Sequence, residues 1–386
     1  MYGIYLHIPF CEKKCSYCDF YSIESMTHID RFTEALLQEI DLRKHQYDGT
    51  AVTSVFFGGG TPSLLSPEAI ARINTAVRNV AQVADDAEWT MECNPGTVTL
   101  ERLQAYRAAG INRLSFGVQS FTASELEFLD RIHDAEQAEQ AMRLAREAGF
   151  ANVNMDLMFA VPGQTLESLA HNLERMIALS PDHISAYSLI YEQGTPLYTK
   201  LKKGLVQPLA EEVDVEMYKL VIETLRGAGY HQYEVSNFAK PGKECRHNLT
   251  YWHAENYLAF GPSAHGYIGN TRYWNKRSLT AWMQDVSNGT LPEANREELS
   301  KDDLLSEFLF LHLRADGIPL DAVQQRFDID LRTQLQPNLR YWIEEGFIED
   351  TGTMLRLTAE GYRVCDEITV KVLGVASAEC RVASSE

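Results

Sequence analysis

The stretch Tyr5-Leu6-His7-Ile8-Pro9-Phe10-Cys11-Glu12-Lys13-Lys14-Cys15-Ser16-Tyr17-Cys18 places three cysteines, at intervals of four and three, directly after a short apolar run. The apolar run reads as a strand, and Pro9 favours a turn at its end. Three thiolates on one loop can point at one centre. Thiolates are the usual ligands of iron–sulfur clusters, and three of them on a four-iron cube leave one iron open for an exchangeable ligand. The same loop also fits a structural zinc site, which would take a fourth ligand from Cys93, Cys245 or a histidine and would normally show paired Cys-x-x-Cys knuckles. The chain has 7 cysteines. That odd number, crowded near one end, is unlike a secreted disulfide framework.

Outward from this loop, β-rich runs alternate with amphipathic segments. Strands are expected at residues 3–8, 53–57, 88–93, 113–118, 152–159 and 183–190. Helices are expected at 30–43, 67–80, 100–109, 135–148, 166–179 and 211–228. Ser66 is placed to cap the second helix, with Pro67 in its first turn. About six β/α units imply an α/β protein with a parallel sheet, open or curled into a partial barrel, whose ligands gather at the C-terminal ends of the strands. The unusual residues fall there: the cysteines after strand one, Gly58-Gly59-Gly60-Thr61-Pro62 after strand two, Glu92 late in strand three, Gln119 after strand four. A glycine run at such a point lets backbone approach a ligand, although by itself it also fits a tight βα turn.

The β/α rhythm sets a first domain at 1–229. Residues 230–287 form an aromatic-rich α+β extension with Trp252, Trp274 and Trp282. A polar linker, 288–301, opens a mainly helical C-terminal domain (288–373), in which 347–349 and 354–357 read as a hairpin. Helices plus a hairpin suggest a winged-helix-like shape. Residues 301–371 carry 14 acidic and 8 basic side chains, the wrong sign for phosphate contacts, so this unit reads as a packing or docking domain. Residues 374–386 read as a disordered tail. The net charge of −19 argues against nucleic acid and anionic membrane surfaces. No apolar run reaches the roughly 20 residues of a membrane span, and a basic-then-apolar leader is missing from the start, so the sequence reads as cytoplasmic.

The opening motif, with Tyr17 and Cys18, resembles radical S-adenosylmethionine (SAM) proteins related to the oxygen-independent coproporphyrinogen III oxidase. The resemblance extends through Gly58-Gly59-Gly60-Thr61-Pro62, Glu92-Cys93-Asn94-Pro95, Phe116-Gly117-Val118-Gln119-Ser120 and residues 154–163. It implies a partial (β/α)6 barrel with a [4Fe-4S] cluster on Cys11, Cys15 and Cys18, and SAM bound near Tyr5, Tyr17, Gly59, Gly60, Thr61, Glu92, Gln119, Arg131 and Asp156. Ile190 is carried over more loosely to the adenine. Carboxylates can accept from ribose hydroxyls or offset the sulfonium charge, and an arginine can clamp a carboxylate. Read singly, Asp156 could orient a loop and Arg131 could be a solvated helix end.

The chain departs from the oxidases in carrying Phe20 where they have a further cysteine, and in starting its first strand almost at Met1. It is more similar to the HemW-type heme chaperones, through His247-Asn248-Leu249-Thr250-Tyr251-Trp252. That resemblance implies a carrier that binds heme, covalently or not, and passes it to acceptors such as respiratory enzymes, with SAM and the cluster regulating transfer or assembly into a homodimer. His247 is the candidate axial ligand, with Cys245 and His265 as neighbours able to replace it. A histidine among aromatics could equally seal one end of a barrel core. The competing expectation is a radical SAM oxidoreductase acting on a tetrapyrrole.

Overall fold

The computed structural model describes residues 2–47 and 49–383. Six parallel strands follow one another in chain order: β1 (Tyr2–Ile8), β2 (Val52–Gly59), β3 (Val83–Cys93), β4 (Arg113–Gln119), β5 (Val153–Phe159) and β6 (His183–Ser188). Between them run α1 (Ile29–Leu42), α2 (Pro67–Val80), α3 (Leu100–Ala108), α4 (Ala123–Phe128), α5 (Ala135–Glu147) and α6 (Leu166–Leu179). Ser66 caps α2 by accepting from the Ala69 amide, as its position before Pro67 implied.

The strands alternate in a telling way. One face of β1 and β2 carries Ile4, Leu6, Ile8, Val55 and Phe57, all fully buried against the helices. The opposite positions are largely polar: His7 on β1, Glu92 on β3, Arg113, Ser115 and Gln119 on β4, Asn154 and Asp156 on β5, Ser185 on β6. Register places Glu92 beside Ser115, Ser115 beside Asn154, and Asp156 beside Ser185. The period of two therefore sorts the strands into an apolar outer face and a polar inner one.

Residues 230–287 do not stand apart from this sheet. β7 (His231–Gln232) and β8 (Asn237–Ala239) join antiparallel beyond β6. β9 (Asn256–Phe260) pairs parallel with β1, and β10 (His265–Ile268), β11 (Thr271–Asn275) and β12 (Glu293–Glu298) continue outward. The stretch expected as a polar linker thus contains an edge strand of the 12-stranded sheet. A buried polar network fastens this wing to the barrel. Glu39 on α1 accepts from Trp282 Nε1 (3.0 Å), the Gly261 amide (2.8 Å) and Asn275 Nδ2 (2.7 Å), while Arg43 donates to Asn275 and to Glu293 of β12. Every buried polar group in the set has a partner, which makes it a rigid clamp rather than a liability.

Beyond β12 lie helix Lys301–Leu313, several shorter helices and a three-stranded sheet in which Ile348–Asp350 pairs with Met354–Leu357. This is the helix-and-hairpin arrangement read from the sequence. The last helix, Cys365–Ala383, continues through residues 374–383, where a disordered tail was expected. Residues 384–386 of that expected tail lie outside the described residues.

Candidate functional site

The cysteine loop is built by backbone bonds. The Ile23 amide donates to Pro9 O (2.7 Å) and the Cys11 amide to Ile23 O (3.0 Å), closing the loop at its base; the Leu197 amide holds its middle at Ser16 O (2.9 Å). Cys11, Cys15 and Cys18 are free thiols and only partly buried. Thr61 Oγ1 lies 3.7 Å from Cys11 Sγ and Arg131 Nη1 lies 3.5 Å from Cys15 Sγ. Burial pushes the Cys11 thiol up, and the Thr61 hydroxyl offsets part of that rise. Among the described residues no three His, Cys, Asp or Glu side chains gather tightly enough to close around one ion.

Behind the loop lies a cavity of about 920 Å³. Tyr5, Tyr17, Gly59, Gly60, Thr61, Glu92, Gln119, Arg131 and Asp156 all line it, together with the three cysteines and His247. Exposed Ile190 does not line it. The structure also brings in residues the sequence reading passed over: Arg113, Ser115, Asn154, Ser185 and Tyr187. Their signal was available in the strict alternation Arg113-x-Ser115-x-Gly117-x-Gln119 and Asn154-x-Asp156.

The glycine run is used differently from the expectation. Gly60 and Thr61 donate their amides to Ile8 O and Phe10 O, and the Gly59 amide donates to Glu92 Oε2 (3.0 Å). Their backbone contacts with a ligand therefore fall to carbonyls, while Thr61 also offers its hydroxyl. The run presses the second βα loop under the cysteine loop. A Cβ at Gly60 would stand 2.6 Å from Phe10 O, and Gly59 has φ +107°. Gln119 has φ +70°, a conformation L residues adopt only when surrounded by structure that enforces it. The enforcing contacts are next door. Ser120 Oγ donates to Glu125, Asn172 Nδ2 donates to Glu125, and Asn172 Oδ1 accepts from the Phe121 amide.

Electrostatically the lumen is set for a cation. Burial and the nearby Asp156 push the Glu92 carboxyl up to about 8, and burial also raises Asp156 despite its bond from Asn154. A positive ligand beside two such carboxyls favours their ionised forms. Arg131 stands across from them. Its Nη2 donates to Gly117 O (2.5 Å), and its buried Nε has no hydrogen-bond partner; a guanidinium in the wall suits a carboxylate. Read singly it could have been a solvated helix end; here it is part of the cavity wall.

The three histidines of the cavity differ sharply. His7 Nε2 donates to Tyr21 O (2.8 Å), so its Nδ1 accepts from the Tyr5 hydroxyl (3.2 Å). His247, only 1% exposed, is bonded at both nitrogens, to Ser54 Oγ (3.0 Å) and Tyr251 Oη (2.8 Å), and its ring stacks on Phe56. Its helix α9, running over Arg246–Trp252 after α7 (Pro196–Lys202) and α8 (Glu211–Gly227), packs on β1 and β2. The contacts, to Gly3 and Ser54, lie at the N-terminal ends of those strands. Glu88 receives the His247 amide and the Cys245 thiol. His247, expected as the axial ligand, has both ring nitrogens in hydrogen bonds, and its helix packs on the N-terminal ends of β1 and β2. Cys245, fully buried, is equally closed off. His265 lines the mouth, exposed, against Trp274.

A sequence profile of the radical SAM superfamily matches residues 5–176, and one of the HemN C-terminal domain matches 299–364. The heme chaperone HemW of Bacillus subtilis is 36% identical over 378 residues, covering 97% of this chain and 100% of that protein. The mitochondrial radical S-adenosyl methionine domain-containing protein 1 of Danio rerio is 36% identical, covering 96% of this chain and 86% of its own. Among solved structures, the coproporphyrinogen III oxidase (HemN) of Escherichia coli, described as a radical SAM enzyme, superposes with a TM-score of 0.81 at 25% identity, covering 97% of this chain and 89% of that one. No helix among the described residues is long and apolar enough to cross a membrane.

Proposed function

The chain belongs to the HemW heme chaperone family of the radical SAM superfamily, and from that premise we propose that it binds heme and delivers it to acceptor proteins while carrying a SAM-bound [4Fe-4S] cluster. What carries this reading is that the likeness to the chaperones runs the full length, through cysteine loop, cavity and C-terminal domain alike.

Cys11, Cys15 and Cys18 would hold the cluster, whose fourth iron remains open to SAM and whose chemistry is electron transfer. The chain's own residues do the rest. Arg131 meets a carboxylate with its guanidinium. Glu92 and Asp156 meet the sulfonium and ribose. Gln119, held by the Ser120-Glu125-Asn172 set, faces the same space. Tyr5, locked by its bond to His7, and Tyr17 wall the cavity and limit water. Phe20 stands 60% exposed at the opening, where the oxidases carry a cysteine, and presents an apolar face to a flat macrocycle. Acceptors such as respiratory enzymes, and a homodimer regulated by the cluster and SAM, complete the reading.

The test is an anaerobic titration of cluster-reconstituted protein with heme, followed in the same sample by assays for coproporphyrinogen decarboxylation and 5′-deoxyadenosine. Stoichiometric heme binding without decarboxylation is expected. Turnover of coproporphyrinogen with matching SAM cleavage would make the protein an oxidase instead.

A further inference from the structure

An axial ligand to heme iron needs a nitrogen lone pair that is both free and accessible. Of the histidines lining the cavity, His7 and His247 fail, since each has both ring nitrogens hydrogen-bonded inside the barrel. His265 makes no ring hydrogen bond among the described residues. It sits at the start of β10, directly opposite Trp274 on β11, and the two rings stack at 5.8 Å and 19°. That stack fixes the plane of the imidazole while leaving its nitrogen-bearing edge open.

Its surroundings suit an amphipathic, dianionic disc. Across the opening the cysteine loop contributes Phe20, exposed, and Tyr21; Arg277 lies over the Tyr21 ring at 5.7 Å, itself exposed and without an ion pair among the described residues. An apolar face, a guanidinium without an ion pair among the described residues and an imidazole without a ring hydrogen bond therefore rim one opening. The Glu39–Arg43–Asn275–Trp282 clamp holds the β9–β11 wing that carries two of them, so their separation from the cysteine loop is fixed by buried bonds. Burial and the nearby Arg272 lower the His265 pKa, which keeps the ring neutral and its lone pair available near pH 7.

We propose that the heme site is the mouth of the barrel, with His265 as the axial ligand and Arg277 receiving a propionate. This rests on the chaperone reading above, and the two can fail separately.

The experiment titrates ferric heme into cluster-reconstituted full-length protein, wild type against His265→Ala, Arg277→Ala and His247→Gln. Binding is followed by fluorescence quenching, and the iron environment by low-spin electron paramagnetic resonance and near-infrared magnetic circular dichroism, which separate heme from cluster. His265→Ala should weaken binding on the order of tenfold and lose the nitrogen-ligated low-spin signal, and added imidazole should restore that signal. Arg277→Ala should weaken binding several-fold with the ligand signature unchanged. His247→Gln should keep the wild-type signature. An unaltered signature in His265→Ala, or its loss in His247→Gln with cluster content and circular dichroism intact, overturns the proposal. Failure of the wild type to bind heme would bring down the chaperone reading itself.

Discussion

The two ends of the barrel are built to opposite rules. At the floor, α9 brings buried His247 and Cys245 together with half-buried Tyr251, and Ser54, Tyr251 and Glu88 take up the polar atoms of the histidine and the cysteine. At the mouth, three partly buried thiols and an exposed imidazole keep hydrogen-bonding capacity, and the buried Arg131 Nε has no partner. A buried group left unsatisfied costs about 1–3 kcal/mol, so the paired His247 and Cys245 of the floor serve stability, while the open groups of the mouth are there for ligands. The difference teaches that a motif of ligand-type residues earns that role only when its lone pairs are free.

Substitutions can break this contrast, the largest at the mouth. Cys15→Ser should abolish the cluster altogether, with iron and sulfide content falling to background after anaerobic reconstitution while the fold persists. A full cluster spectrum in that variant would refute the ligand set.

At the floor the signature is acid sensitivity. Burial, reinforced by Arg113, lowers the His247 pKa to about 3 against an ordinary value of 6.5. The folded state therefore keeps it neutral, its stability contribution is intact above pH 6.5, and it is lost as pH falls from 6.5 toward 3, at about 1.4 kcal/mol per unit at most. His247→Gln should lower the melting temperature at pH 8 yet narrow the drop between pH 8 and pH 5. An unchanged drop would show that the ring is not buried as described.

Gly60→Ala sharpens the link between the second βα loop and the cysteine loop. A methyl 2.6 Å from Phe10 O forces the two apart, at a cost on the order of 2 kcal/mol, and cluster incorporation should fall with it. Thermal melts of the apo and reconstituted variant check both effects.

The smallest effect is at Glu92. With its carboxyl near 8 in the free lumen, a cationic ligand that needs it ionised binds more tightly as pH rises, by up to about tenfold between pH 7 and 9. Calorimetric titration with SAM should show that rise and a proton released on binding, and Glu92→Gln should flatten both. Equal slopes in the two proteins would remove Glu92 from the site.

Much of this was legible in the chain. The six β/α units follow from periodicity, and the cysteine loop, the glycine run, Glu92, Gln119 and Asp156 line one cavity because they fall at or near strand ends or face inward by alternation, while Arg131 reaches it from the loop after α4. Other features were not legible, for physical reasons. Strand β12, Glu-Ala-Asn-Arg-Glu-Glu, has no apolar alternation because it is an exposed edge, held by its ladder to β11 and by Arg43–Glu293. Glu39 and Arg43 look like an ordinary surface i,i+4 pair, and only the wing folding over α1 buries them. The role of His247 turned on which end of the barrel received α9, a long-range fact that no local pattern encodes.

The most direct test of the central claim is transfer. Heme-loaded protein is mixed anaerobically with an apo-acceptor such as a respiratory cytochrome, and the appearance of the acceptor's own heme spectrum is followed with and without SAM. The account predicts that heme leaves this protein and reconstitutes the acceptor while SAM stays uncleaved. Heme that stays bound while coproporphyrinogen is consumed and 5′-deoxyadenosine accumulates would contradict it.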